Sequence, residues 1–319
     1  MKKLFATVAL AITAIISNAQ EIYFSQYYAD KLSLNPAFAS VPGNSEISMI
    51  LRSQYIGVDG GFKTYSASYL QKIGQCGFGV GAYGTIAGAY RQNQVSAAYS
   101  NTIKISRELR CSAGVEASFA NKTLRQGELT YYSMIDPLTG DNNGQASTIN
   151  YHSPLTIAIS PGIMLYTQKT ILGVAAYSVA QYKITGENGI PKSVVVFANH
   201  KIELGKIQNH QKSETTYLIP SAIYRYQDGI SSIQAGAYID NFKIMGGVAY
   251  RLQTGEHTTH TMIASIGVTL GKVQIGYGHD FDLSTITKST YGAHEIAAKY
   301  KLDGIKKNKR DQTIMCPAF

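Results

Sequence analysis

The chain has 319 residues, of which 45% are hydrophobic and 15% charged, with 30 Gly, 23 Tyr and no Trp. This composition excludes a disordered or collagen-like protein, and the shortage of charged residues argues against a helical bundle. The formal charge of +9 suits nucleic acid, anionic lipid or an acidic partner without choosing among them. The cysteines, Cys76, Cys111 and Cys316, are too scattered for a disulfide scaffold or a zinc knuckle.

The first 19 residues have the features of an export signal. Lys2 and Lys3 precede an apolar stretch from Leu4 to Ile16, and Ser17-Asn18-Ala19 places small residues where a signal peptidase cleaves. A retained anchor is disfavoured because the stretch is shorter than the roughly 20 residues of a spanning helix. We therefore predict cleavage after Ala19, and export argues against nucleic acid as a partner.

Residues 20–44 follow the signal and contain many large apolar side chains without a clear period. We expect packing to order this stretch as a plug-like segment against the wall of the domain that follows. The side chains concerned are Tyr23, Phe24, Tyr27, Tyr28, Leu32, Leu34 and Phe38.

From residue 45 onward the hydrophobic pattern has a period of two. No run of 18 apolar residues occurs after Ala19, which excludes a helical membrane protein. Between Val95 and Ile105 one face is largely apolar and the other largely polar. The sequence predicts fourteen such strands, at 45–55, 62–73, 76–88, 92–105, 110–122, 156–167, 170–183, 192–204, 214–226, 230–240, 242–252, 260–270, 272–281 and 292–302.

The connections between these strands alternate between short and long. If the first strand rises from the periplasm, the periplasmic turns are short except Gly205 to Ser213, and the longest outer loop runs from Thr123 to Leu155. This asymmetry is typical of outer-membrane barrels, in which a closed sheet pairs every backbone group. A soluble sandwich also alternates, but we predict an all-β transmembrane barrel over residues 45–302, with Tyr and Phe forming its aromatic girdles.

Residues 303–319 form a basic tail that contains Lys306, Lys307, Lys309 and Arg310. Because the strand number is even, the N- and C-termini are both expected in the periplasm. The tail is either a solvated segment or a docking segment for a partner, and Cys316 is either an unpaired thiol or a bridge to another protein.

Both ends of the chain carry motifs that are similar to those of a known family. Near the N-terminus these are Phe24-Ser25-Gln26-Tyr27, Leu34-Asn35-Pro36-Ala37-Phe38-Ala39 and Arg52-Ser53-Gln54-Tyr55, and near the C-terminus Gly276-Tyr277, Asp280-Phe281, Gly292-Ala293-His294-Glu295-Ile296 and Cys316-Pro317-Ala318-Phe319. Together they resemble the PorP/SprF family of type IX secretion system outer-membrane proteins. Ser40 and Tyr55 depart from the family's usual Gly and Trp.

The resemblance implies a non-enzymatic barrel of the type IX secretion system that supports export or surface attachment of adhesins and other cargo. It also implies partners among periplasmic ring and peptidoglycan-linked components, and it connects some members with gliding motility. As motif residues that contact partners it suggests Phe24, Ser25, Gln26, Tyr27, Asn35, Pro36, Ala37, Arg52, Gln54, His294, Glu295, Cys316, Pro317 and Phe319. For His294 and Glu295 a lumen hydrogen bond or a strand end is the favoured alternative.

The search for catalytic and metal sites is mostly negative. His257 and His260 lack a neighbouring acid at helical spacing. His279, Asp280 and Ser284 cannot form a triad because adjacent strand residues point to opposite faces. The acidic turns within 136–144 lack the ligand spacing of a calcium loop. We expect no cofactor, no resident metal and no enzymatic activity.

A different function, passive uptake, follows from a second resemblance. Fourteen strands, a plug and Asn35-Pro36-Ala37 are similar to the FadL-like channels for hydrophobic compounds, although a simple turn also explains this tripeptide. The short chain and the Cys316-Pro317-Ala318-Phe319 ending are not explained by that resemblance. A purely structural barrel is the third possibility.

Overall fold

A computed structural model describes residues 24–41, 43, 45–57, 60–125, 150–152, 155–183, 190–209, 212–241, 243–255, 258–283 and 291–302. The statements below concern these residues. The predicted export signal, the basic tail, and residues 126–149 of the predicted long loop lie outside them.

Fourteen antiparallel strands form one closed barrel, which confirms the predicted fold class. Each strand pairs with its neighbours in sequence, and β1 also pairs with β14, so the sheet has no free edge. The strands are β1 Glu46–Gln54, β2 Phe62–Ile73, β3 Cys76–Ala87, β4 Tyr90–Lys104, β5 Arg110–Arg125, β6 Asn150–His152 with Thr156–Tyr166, β7 Thr170–Tyr177 with Ala180–Lys183, β8 Ser193–His200 with Ile202–Asn209, β9 Lys212–Gln227, β10 Ile230–Asn241, β11 Ile244–Thr254, β12 Thr259–Leu270, β13 Val273–Asp282 and β14 Ala293–Lys301.

The alternation along each strand separates a polar inner face from an apolar outer face. In β1 the side chains of Glu46 and Ser48 are buried inside, whereas Ile47, Met49 and Leu51 are exposed on the outside. Large apolar side chains are exposed in the same way on the other long strands. An outward apolar band on a closed sheet is the signature of a barrel whose solvent is lipid.

The predicted strand boundaries agree with the structure to within a few residues, with two exceptions. Asn150–His152, inside the predicted loop from Thr123 to Leu155, pairs with the end of β5. The long connection predicted from Gly205 to Ser213 is wrong, because β8 continues to Asn209 and β9 begins at Lys212. Lys206 pairs with Thr215 there, and Ile207 with Glu214. This extension is mostly polar, so hydrophobic alternation does not reveal it.

The first strand begins and the last strand ends at the same end of the barrel. We call the end at which β1 begins and β14 ends the lower end, and the opposite end the upper end. Before β1, the chain forms a short helix, α1 (Lys31–Leu34), and a 3-10 helix, Pro36–Ser40. In the part of the chain that is described, no helix is long and apolar enough to cross a membrane.

Candidate functional site

The lumen is occupied by the stretch that precedes β1. We call residues 24–41 the inner segment; all of its side chains except that of Ser33 are buried. It begins beside the upper halves of β1, β13 and β14, runs down the inner wall, and reaches the lower parts of β4 and β5 before β1 starts. Its aromatic side chains join the main core cluster, in which Tyr28 packs edge-on against Tyr238 with ring centroids 5.1 Å apart.

At the upper end the inner segment is held by a buried carboxylate. The backbone N–H groups of Ser25 and Gln26 donate to the two oxygens of Glu295, at 2.8 and 2.7 Å. Arg52, the direct cross-strand partner of Glu295, donates to the same carboxylate at 3.2 Å. A charged acceptor with charged and backbone donors makes stronger hydrogen bonds than a neutral pair, so this contact fixes the start of the segment.

The hydroxyl of Ser25 lies between a second set of charges. It donates to Asp280 at 2.6 Å and accepts from Arg52 at 2.8 Å and from Arg251 at 2.7 Å. The carboxylate of Asp280 also accepts hydrogen bonds from the guanidinium groups of Arg52 at 2.8 Å and Arg251 at 3.2 Å. The side chain of Gln234 completes the group by donating to the carbonyl of Ser25 at 3.1 Å.

We call Arg52, Arg251, Asp280 and Glu295 the ionic anchor. All four are nearly fully buried, and their formal charges balance as two positive and two negative. Burying such charges is costly unless each finds partners, and a matched set with Ser25 at its centre meets that condition. Removing one member would leave an uncompensated buried charge. The ionic anchor therefore makes the position of the inner segment depend on four different strands.

The middle of the inner segment is held by hydroxyl groups of the wall. The carboxylate of Asp30 accepts from Ser66 and Ser68 of β2, and it caps α1 by accepting from the backbone of Ser33 at 3.5 Å. The hydroxyl of Tyr27 donates to Asn199 of β8 at 3.0 Å. These contacts attach the segment to opposite sides of the barrel.

Asn35 serves both the segment and the wall. Its side-chain oxygen accepts from the N–H of Ala37 at 2.8 Å and so caps the 3-10 helix, which starts at Pro36. Its amide group donates to the carbonyls of Ile163 in β6 and Val174 in β7. In this structure the Asn35-Pro36-Ala37 motif forms a helix cap that also binds two strands of the wall.

Glycines of the wall make room for this close approach. A Cβ on Gly162 would lie 2.2 Å from the side-chain oxygen of Asn35, and one on Gly77 would lie 2.0 Å from the carbonyl of Ala39. Both distances are far below contact, so the close approach of the segment to the wall at these points requires positions without a side chain.

The lower end has its own polar attachment. Lys31 forms a buried ion pair with Glu46 at 2.9 Å, and Lys299 lies 3.9 Å from the same carboxylate while donating to the carbonyl of Tyr28 at 3.3 Å. Ser40 exchanges hydrogen bonds with Thr102 and Ser112. The inner segment is therefore held at both ends of the lumen.

The structure brings together most of the residues that were singled out from the sequence. Ser25, Gln26, Arg52 and Glu295 meet directly, Gln54 accepts from Arg52 at 3.5 Å, and Phe24 lies edge-on to Tyr83 at 6.4 Å. What these buried side chains contact is their own chain. A role in contacting another protein stays a prediction.

Some of the suggested residues lie elsewhere. His294 is on the outer face, with Nδ1 2.7 Å from the hydroxyl of Tyr277 and its ring 4.4 Å from that of His279, so the lumen hydrogen bond considered for it is not formed. Its neighbour Glu295 points inward, as strand alternation requires. Cys316, Pro317 and Phe319 lie outside the described residues.

Sequence reasoning missed several side chains of the site. Asp280 was named only in a motif and in a rejected catalytic triad, and Arg251, Gln234, Asp30 and Lys299 were not singled out. Each is a single polar residue on an inward strand face or in an aperiodic stretch, where polar residues are common. Only the excess of charge on the inward face of β11, β13 and β14 could have pointed to the ionic anchor.

With this geometry established, comparison with known proteins becomes informative. A family model described as "Type IX secretion system membrane protein PorP/SprF" matches residues 16–300. The chain belongs to the PorP/SprF family. A search of curated proteins found no match.

Solved structures add information on the fold of this PorP/SprF protein. The "CymD monoaromatic hydrocarbon channel" is similar with a TM-score of 0.52 and 12% identity, covering 87% of this chain and 94% of that one. A Pseudomonas aeruginosa FadL homologue has a TM-score of 0.45 and 11% identity, covering 91% and 100%. At such identities the CymD similarity shows a shared barrel fold alone. Fold and family together place the protein in the outer membrane.

Proposed function

We propose that this protein is a non-enzymatic component of the type IX secretion system that supports export or surface attachment of secreted proteins such as adhesins. Membership of the PorP/SprF family over residues 16–300 carries the proposal. The inner segment restricts how the barrel can support secretion. Its two ends are bound to the wall, and a cavity beside Asp30 and Glu116 has a volume of about 120 Å³, far too small for a polypeptide domain. The barrel thus acts as a filled scaffold and not as the conduit for cargo.

The proposed orientation places the lower end in the periplasm. The short turns lie at that end, which is the usual arrangement in outer-membrane barrels. The predicted cleavage after Ala19 and the domain boundaries at residues 20–44, 45–302 and 303–319 are part of the same proposal. The lower end would then face the periplasmic ring and peptidoglycan-linked proteins, the upper loops would face secreted cargo, and the outer wall would face lipid.

The experiment that tests the proposed function compares the secreted and surface proteomes of a clean deletion strain and its complemented parent. We expect particular large adhesins or C-terminally tagged cargo to be lost from the surface and regained on complementation. An unchanged proteome, accompanied by reduced uptake of hydrophobic solutes, would instead favour the FadL-like alternative.

A further inference from the structure

A short row of polar side chains lies on the outer wall where β1 joins β2 and β14. Ser53 of β1 pairs directly with Lys63 of β2 on one side and with His294 of β14 on the other, and His294 pairs in turn with His279 of β13. Each of the four adjoins a buried side chain that points inward, so strand alternation turns the four outward. We call Lys63, Ser53, His294 and His279 the outer polar row.

Apolar side chains surround the outer polar row. Continuing around the wall, the cross-strand partner beyond Lys63 is Ile86, and the one beyond His279 is Ala264. On β1, β2 and β14 the outer polar row occupies the last outward position before the strand ends. The next outward positions below it carry exposed apolar or aromatic side chains, which are Leu51, Tyr65, Tyr277 and Ile296. The outer polar row therefore lies near the upper edge of the apolar band, at the level where lipid headgroups meet a barrel.

Among the residues that the structure describes, no carboxylate balances the outer polar row. Lys63 is exposed and forms no ion pair with any of them. Asp280 and Glu295 adjoin the two histidines in sequence, but both face the lumen and belong to the ionic anchor. Nδ1 of His294 lies 2.7 Å from a tyrosine hydroxyl. When Nδ1 accepts from that hydroxyl, Nε2 carries the ring proton and can donate.

Ser53 leaves space between the two larger side chains that flank it. Neighbouring strands are about 4.8 Å apart, so the backbones of Lys63 and His294 are separated by about 10 Å across Ser53. The ammonium group, the serine hydroxyl and an imidazole N–H can therefore converge on one anion seated over Ser53. A phosphate group matches these donors, because its charged oxygens accept several strong hydrogen bonds at once.

We propose that the outer polar row binds a phosphate group of lipid A in the outer leaflet, and so holds one lipid molecule at the junction of β1 and β14. This inference goes beyond the proposed function and uses only its orientation, in which the upper end faces the cell exterior. The outer polar row points into the lipid and lies at headgroup level. A protein or a free phosphate ion would have to displace lipid to reach it, whereas a phosphorylated lipid already stands there with the complementary charge.

The test measures binding of monophosphoryl lipid A to the full-length protein by native mass spectrometry from a neutral detergent. We expect saturable binding, weaker binding of dephosphorylated lipid A, and no displacement by inorganic phosphate at the same concentration. In the variant with Lys63→Gln and His294→Gln we expect the affinity to fall by about tenfold, since charge-assisted hydrogen bonds are lost. Ser53→Leu should also weaken binding, because its side chain fills the space for the phosphate while remaining compatible with a wall that faces lipid.

The control is Lys169→Gln, which removes one exposed charge from the β6–β7 turn at the lower end. This control and Lys63→Arg should both bind lipid A as the parent does, and all variants should show the heat-dependent gel mobility of a folded barrel. Absence of saturable binding, an equal loss in the control, or unchanged affinity in the double variant would overturn the proposal.

Three further outcomes concern the source of the phosphate. Equal binding of dephosphorylated lipid A would show that the phosphate is not recognised. Equally tight binding of phosphatidylglycerol, or displacement by inorganic phosphate, would reveal a general anion site and would also overturn the proposal. A normal deletion proteome would overturn the proposed function alone, because lipid binding is measured on the isolated protein.

Discussion

Glu295 connects three parts of the molecule through one carboxylate. It accepts from the backbone of Ser25 and Gln26 and pairs with Arg52, and its side chain is completely buried. In Glu295→Gln the buried ionic anchor would keep two positive charges and one negative charge. We expect the barrel to lose roughly 3 to 5 kcal/mol of stability and to unfold at lower temperature, as followed by heat-dependent gel mobility.

The matched control for this prediction is Glu108→Gln. Glu108 lies exposed in the β4–β5 turn, so losing its charge should leave the unfolding temperature unchanged. Equal unfolding temperatures of the two variants would mean that the ionic anchor makes no net contribution to the stability of the barrel.

Gly162 allows a second test at the scale of single residues. In Gly162→Ala the new methyl group would lie 2.2 Å from the oxygen of Asn35, so the cap of the 3-10 helix must move. We expect a loss of about 1 to 3 kcal/mol, together with faster proteolysis of the inner segment. Gly205→Ala is the control, because a Cβ there meets no atom within 4 Å. If the two variants are cleaved at the same rate, Asn35 does not secure the segment.

At the scale of single residues, the sequence predicted a member of the ionic anchor only where that residue belonged to a motif. Arg52 and Glu295 were singled out through such motifs, and they prove to be cross-strand partners. Arg251 and Gln234 stand in no motif, and a polar residue on an inward strand face is what any lumen requires. Their importance comes from convergence on Ser25, which depends on the three-dimensional path of the inner segment.

At the scale of elements, the strands were predictable because one physical requirement repeats fourteen times. Each strand faces lipid on one side and a polar interior on the other, and the period of two follows. The prediction failed between Gly205 and Ser213, where backbone pairing extends beyond the apolar band.

The path of the inner segment could not be predicted in the same way. Its side chains contact the wall on several sides, so no single face is apolar and no period arises. Its abundance of aromatic residues indicated packing, but the attachment of Asn35 to β6 and β7 needs the finished barrel.

Deleting residues 20–44 tests what the inner segment does as an element. The ionic anchor of the wall keeps balanced charges without it, so we expect the barrel to assemble with an open lumen. Ion conductance in planar bilayers should rise well above that of the parent. As a control, deletion of residues 303–319 should leave conductance low. A deletion variant that assembles but conducts no better would show that the inner segment does not seal the lumen.

For the whole molecule, truncation after Leu302 separates the barrel from the basic tail. All fourteen strands remain, and the backbone of Leu302 still donates to Ser45 at 2.8 Å. We expect normal assembly in the outer membrane but weaker recovery of periplasmic partners after crosslinking in cells. An unaltered crosslinking pattern would remove the tail as a docking segment.

The pairing of β1 with β14 joins the two ends of the sheet, and this junction contains Arg52 opposite Glu295. Glu295 also binds the start of the inner segment, so the same carboxylate takes part in closing the sheet and in filling the lumen. A nascent chain that lacks the segment at this junction can still close, because the wall charges balance, but Glu295 then loses the backbone donors of Ser25 and Gln26. We therefore expect closure of the sheet and sealing of the lumen to be coupled during biogenesis, so that no transient hole opens in the permeability barrier. Strains that make Glu295→Gln should accordingly become sensitive to vancomycin while the barrel is being made.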